Sequence, residues 1–438
     1  MLFMKKINVK RIVAAMLSGL MILQLTACSG FFREKINATD MTKDVTPQDV
    51  EEKSLDDAFL KNQMELSAQL FKQSVARSGE ENVLVSPLSI SLALAMTANG
   101  ANGDTLAEME GLLAGELSIA ELNQYLNTYV NHLPSDEKYR FHIANSILYR
   151  DDESLIIEKD FLQTNADYYG ASIYKSPFDE TTVTDINNWV KNNTDGMIEE
   201  IIDRIDYDTV MYLINALSFD AEWNTKYLDI DIWDGTFTTL DKEERSVKMM
   251  NSMESVYLEN EDVTGFMKPY KDEKYSFVAL LPKDEEGVDE FISGMTGETL
   301  QELFKGQKSA SVEVVIPKFS YEYSISMNEM LKDLGMPTAF NTSLADFSKM
   351  GSSSLGNIYI GDVAHKTFIT VDENGTKAGA VTKVEMKAES AVEFNYRVTL
   401  NRPFVYIIVD NENNLPIFMG MVMDTDITSV TSSGEVNE

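Results

Sequence analysis

The sequence predicts an α+β fold made as one large domain. Helical periodicity concentrates in the first half of the chain, and short strand-like apolar runs dominate the second. No Pro- or Gly-rich linker and no internal repeat interrupts residues 55–427. The strict strand–helix alternation of a parallel α/β sheet is missing.

The elements follow in order. Lys5, Lys6, Lys10 and Arg11 precede an apolar run from Ile12 to Leu25, and Leu25-Thr26-Ala27-Cys28 follows. This is the layout of a secretory signal, and the run is too short to span a bilayer comfortably. Its end resembles the bacterial lipobox, whose cysteine becomes the acylated first residue of the mature chain; a plain signal with an incidental cysteine is the alternative. Residues 1–27 are thus expected to be a lipoprotein signal peptide. Residues 28–54 are expected to be a lipidated Cys28 with a flexible polar tether, placing the protein outside the cytoplasm on a membrane at the cell surface. From Leu55 the pattern turns helical, with Leu55, Phe59, Leu66 and Leu70 on one face. Ser86-Pro87 supplies an N-cap and a first-turn proline for a second helix. Trp189 and Val190, three and four residues after Ile186, mark a third. Phe277–Leu281, Val312–Ile316, Phe404–Val409 and Ile417–Met423 read as strands, the last two joined by the turn-rich residues 410–414. Residues 428–438 read as a disordered tail.

Composition narrows the function. The 438 residues carry a formal charge of −34, and removing 1–27 takes away four basic residues and no acidic one, giving −38. Such acidity argues against nucleic acid as a partner. One cysteine allows neither an internal disulfide framework nor a multi-thiolate zinc site. Neither G-x-S-x-G, a phosphate-binding G-x-x-x-x-G-K-[S/T] nor H-E-x-x-H occurs. Asp229-Ile230-Asp231-Ile232-Trp233-Asp234 starts like a calcium loop, but Trp233 stands where an oxygen ligand belongs, so it reads as a solvated acidic stretch. His132 and His142 read as structural. The expectation is a protein that is not an enzyme and has no metal or cofactor.

The most informative stretch is Glu373 to Leu400. Thr376, Ala378, Ala380, Thr382, Val384, Met386 and Ala388 alternate with Lys377, Gly379, Val381, Lys383, Glu385, Lys387 and Glu389. That is a two-residue period, small or apolar against mostly charged. The first four members of the small face are Thr or Ala, which suits a segment that must slide between existing strands; an ordinary amphipathic strand with a weak core face is the alternative.

Here a family comes into view. Asn82-Val83-Leu84-Val85-Ser86-Pro87-Leu88-Ser89-Ile90 continues to Gly100-Ala101-Asn102-Gly103-Asp104-Thr105; Ile186-Asn187-Asn188-Trp189-Val190 stands with Thr194 and Gly196. Asn215-Ala216, Phe219 and Trp223 follow, then Pro317-Lys318-Phe319 and Leu334-Gly335. Asp362-Val363-Ala364-His365-Lys366 leads to Glu373-Asn374-Gly375-Thr376, and Asn401-Arg402-Pro403-Phe404 and Phe418-Met419-Gly420 close the domain. In this order the motifs resemble those of the serpins over nearly all of residues 55–427.

The resemblance implies the serpin fold, with large mixed and antiparallel sheets, about eight to nine helices and an exposed reactive-centre loop. It implies a monomeric suicide substrate for serine proteases, in which the cleaved loop enters the main sheet as a new strand. The hinge would comprise Glu373, Gly375, Thr376, Ala378, Ala380 and Thr382. Family spacing places the scissile bond at Glu389-Ser390, suiting a Glu-accepting protease; a shift to Ala388 suits an elastase-like pocket and Lys387 a trypsin-like one. Ser86, Ser89, Asn215 and His365 resemble a buried polar cluster where the strands part, and such a cluster is expected to be fully hydrogen-bonded. Trp223 and Lys318 resemble the region where the hinge first enters, with a Lys318–Glu373 ion pair expected. Two residues depart from the hinge pattern: Lys377 stands where an acid is usual and Gly379 where Ala is usual. Both would face outward, but the glycine would slow insertion. A non-inhibitory serpin, a binding protein whose loop is only a substrate, therefore stays open.

Overall fold

The computed structural model describes residues 33–133, 139–194, 196–205, 209, 211–285, 287–354, 356–376 and 394–425, with the backbone alone at 139–142, 215, 216 and 218. Contacts divide the chain after Lys35, and everything below concerns the body that starts at Ile36.

A seven-stranded main sheet runs β1 (Thr39–Asp40), β5 (Ser172–Ser176), β3 (Tyr139–Arg150), β6 (Met211–Glu222), β15 (Gly375–Thr376), β14 (Asp362–Val371) and β12 (Phe319–Ser326). The second sheet runs β16 (Tyr396–Thr399), β11 (Lys308–Pro317), β8 (Glu244–Glu259), β9 (Val263–Pro269), β10 (Tyr275–Pro282), β17 (Phe404–Asp410), β18 (Pro416–Val422) and β2 (Val83–Val85), with β7 (Ile232–Thr238) also on β8. A small pair joins β4 (Ile156–Ile157) to β13 (Gly351–Ser352). Among the described residues there are nine helices: α1 (Asp57–Ser78), α2 (Pro87–Ala98), α3 (Gly103–Leu113), α4 (Ile119–His132), α5 (Lys159–Tyr169), α6 (Glu180–Asn193), α7 (Val288–Gly294), α8 (Gly297–Lys305) and α9 (Asn328–Asp333). The expected α+β class, with large mixed sheets, is the one observed.

Local chemistry explains the main elements. The Asp56 carboxylate caps α1 by accepting from Phe59 N at 2.9 Å. Ser86 caps α2, accepting from Ser89 N, and Pro87 occupies the first turn. Every residue of α2 is buried, so that helix is a core element without a polar face. In α6, Ile186, Trp189 and Val190 pack with Leu148, Tyr212 and Ile214 of the main sheet. The runs Phe277–Leu281 and Phe404–Val409 are antiparallel neighbours, with Phe277 opposite Ile408, and both lie wholly inside.

One expectation needs correction. The segment read as a flexible tether to residue 54 lies against the body from Ile36 onward. Thr39 and Asp40 pair with Lys175 and Tyr174. Asn37 N donates to Asp185 at 2.8 Å, Gln48 N to Asp167 at 2.7 Å, and Lys53 N to Thr128 Oγ1 at 2.9 Å. These are backbone-to-side-chain bonds, which hydrophobic periodicity does not register. Residues 1–27, Cys28 and 428–438 lie outside the described residues.

Candidate functional site

The site lies where β6 and β14 part. At one end they pair directly in parallel, Asp362 with Tyr212, Val363 with Leu213 and Ala364 with Ile214. At the other end β15 stands between them, with Thr376 opposite both Val371 of β14 and Ala221 of β6. Strand β15 is antiparallel to both neighbours, as a chain that turns back from β14 must be. Gly375 is required by close approach: a Cβ there would lie 1.9 Å from Ala221 O. Thr376 is 2% exposed, so the first Thr of the small face sits inside the sheet. Its Oγ1 is hydrogen-bonded to the hydroxyl of Tyr270.

The turn that joins β14 to β15 is held by donors from one segment. Trp223 N donates to Asn374 O at 2.8 Å, Trp223 Nε1 to Asp372 O at 2.8 Å, and Tyr227 N to Glu373 O at 3.1 Å. Asp372 closes the turn itself, accepting from Asn374 N at 2.7 Å. Trp223 stacks on Tyr270 with ring centroids 4.6 Å apart. Burial pushes the Tyr270 phenol well above its ordinary range, so it stays a neutral hydroxyl beside Thr376. The Lys318 ammonium donates to the Glu373 carboxylate. Partial burial works against that carboxylate's charge, but Lys318 outweighs it and the pKa falls below the usual value. Lys318 and Glu373 are 28% and 37% exposed, so the pair orients the turn more than it stabilises it.

Beneath the parting point lies the polar cluster. Ser86 N donates to His365 Nε2 at 3.2 Å, which assigns that nitrogen as the acceptor. Ser86 Oγ donates to Ile417 O at 2.8 Å and accepts from Ser89 N at 3.3 Å. Complete burial lowers the His365 pKa to about 4, holding the imidazole neutral. His365 follows Ala364, the last residue of β14 to pair directly with β6. Full satisfaction of the cluster is not observed: Ser89 Oγ is buried without a partner. Asn215 of β6 stands opposite Asn145 of β3, and the Asn215 side chain lies outside the described residues. Ala378, Ala380, Thr382, Lys387, Ala388, Glu389 and Ser390 also lie outside them.

Sequence reasoning missed Tyr227, Tyr270, Glu254 and Lys268. A signal for Lys268 does exist, since it falls in phase with Phe266 of β9 and with Tyr270 just past the strand's end, both buried, where an apolar residue is expected.

Comparison with known proteins fits this geometry. Residues 61–425 match the family model described as Serpin (serine protease inhibitor). Human alpha-1-antichymotrypsin is 31% identical over 363 residues, covering 81% of this chain and 85% of its own. Human neuroserpin is 27% identical over 389 residues, covering 85% and 93%. Among solved structures, the native state of tengpin, a thermophilic serpin, superposes with a TM-score of 0.85 at 49% identity, covering 89% of this chain and all of that one. This chain belongs to the serpin family, whose members are generally protease inhibitors rather than enzymes.

Proposed function

We propose that this chain is a suicide-substrate inhibitor of serine proteases. A protease attacks the segment after Thr376 and forms an acyl-enzyme; the freed strand then continues between β6 and β14 and carries the trapped enzyme with it. The observation that supports this reading is the placement of Gly375 and Thr376, already seated between the two strands that must separate. Below them, among the described residues, direct β6–β14 pairing runs over residues 362–364 of β14, a short ladder to open. The residues that would follow on the small face, Ala378, Ala380 and Thr382, present no bulk or charge.

The favoured scissile bond is Glu389-Ser390. The segment Thr376–Glu389 carries three Lys and two Glu against a strongly acidic body. A near-neutral bait on an anionic protein favours cationic proteases, whose approach it accelerates by long-range attraction. Cys28 would anchor the protein to a membrane through a lipid, and Cys28→Ser would release it into the soluble fraction.

The test is incubation with elastase-like, trypsin-like and Glu-specific serine proteases. An SDS-stable covalent complex, with a C-terminal fragment beginning at Ser390 by mass spectrometry, is the expected result. Cleavage with no complex would overturn inhibition and favour a binding protein whose loop is merely a substrate. An association rate unaffected by added salt would remove the steering claim.

A further inference from the structure

Lys268, 1% exposed, lies beneath residues 223–227, the segment whose donors hold the turn at 372–374. Its Nζ donates to Glu254 Oε1 at 2.7 Å, to Thr225 O at 3.3 Å and to Ser252 Oγ at 3.4 Å. The same ammonium lies 4.5 Å from the centre of the Tyr227 ring and 5.4 Å from that of Trp223. Ser252 Oγ in turn donates its single proton to Glu254 Oε1 at 2.7 Å and lies 3.2 Å from the Tyr227 hydroxyl, from which it can accept. One buried cation therefore touches the ring of Trp223, the carbonyl of Thr225 and the ring of Tyr227. Those two aromatic residues present the backbone N–H groups that hold Glu373 O and Asn374 O.

A buried ion pair is a poor way to gain stability, because well-packed apolar residues of similar volume serve as well or better. What the pair does supply is direction. The ammonium has three fixed acceptors and two ring faces, which define one position for residues 223–227. We propose that Lys268, held by Glu254, is a positioning residue for loop insertion: it fixes the 223–227 segment so that its amides keep Gly375 and Thr376 seated in the main sheet before cleavage. The cleaved strand then starts from a nucleus already paired with β6 and β14. Without Lys268 the segment loosens, insertion starts later, and more acyl-enzyme hydrolyses before it is trapped. This inference rests on the inhibitory reading and adds the residue that sets its efficiency.

The experiment compares wild type with the neutral double substitution K268M/E254Q, which leaves no unpaired buried charge, by two measurements. The first is amide hydrogen exchange over residues 219–228 in the intact protein, which needs no protease. The second is the number of inhibitor molecules consumed per protease trapped, read beside the association rate. Exchange at the Trp223 and Tyr227 amides should quicken about fivefold, and consumption should rise by a similar factor, the change that one net hydrogen bond makes in a ratio of rates. The association rate should stay within about twofold, because the same bait is presented. A merely structural role would lower stability without raising consumption. A folded variant with wild-type exchange overturns the proposal, and so does quicker exchange with unchanged consumption. If the double variant does not fold, Y227L carries the same two measurements with the ion pair intact. Should wild type trap no protease, the functional reading falls, and exchange alone decides whether Lys268 holds the clamp.

Discussion

At one end of the β6–β14 pair, Asp362, Val363 and Ala364 bond directly to Tyr212, Leu213 and Ile214; at the other, Gly375 and Thr376 occupy the place between the same two strands. The closed end sits beside a buried histidine and serines, while the open end is lined by aromatic rings and ion pairs. The closed end resists separation through a short ladder above a core in which His365 is neutral. At the open end N–H donors do the work: the backbone amides of Trp223 and Tyr227 hold the carbonyls of Asn374 and Glu373, and the Trp223 indole holds that of Asp372. On the proposed mechanism, the difference makes the main sheet a slot already started, in which lengthening β15 requires the closed end to yield.

Substitutions can break either end. Gly375→Ala should have the largest effect, because the new methyl meets the Ala221 carbonyl. Overpacking of that kind costs about 1–3 kcal/mol, so the yield of covalent complex should fall about tenfold or more, measured by gel densitometry. At the closed end, acid is the probe. His365 has a folded pKa near 4 against an ordinary 6.5, so the unfolded chain takes up the proton first. Stability is then full above about pH 6.5 and declines as pH falls toward 4, by about 2 kcal/mol between pH 7 and 5. Denaturant unfolding of wild type should show that loss, and His365→Asn should remove it. Tyr270→Phe takes away the partner of a buried Thr376 hydroxyl and should cost about 1–2 kcal/mol in the same assay. Lys318→Ala should matter least, under about 1 kcal/mol, since the Lys318–Glu373 pair is substantially exposed.

Much of this was legible in the sequence, for reasons that differ by residue. Ser86-Pro87 announces α2 because capping is a local matter, and Phe277–Leu281 announces β10 because a fully buried strand is apolar throughout. Thr376 was legible through strand alternation, and Gly375 through family resemblance. The clamp was not, because it joins residues 223–227, 252–254, 268–270 and 372–376, which only the sheet topology brings together. Ile36–Lys53 escaped for the opposite reason. Its attachments are a two-residue strand pairing with Lys175 and Tyr174 and single polar contacts to Asp185, Asp167 and Thr128, all too short to leave a periodic trace.

The most direct test of the central claim is the thermal unfolding midpoint of the intact protein against that of the same protein cleaved once between residues 377 and 393. Insertion between β6 and β14 predicts a rise of well over about 10 °C after cleavage, since a whole strand is gained by the main sheet. An unchanged or lower midpoint would mean that Gly375 and Thr376 mark the full extent of the slot, and would contradict the account.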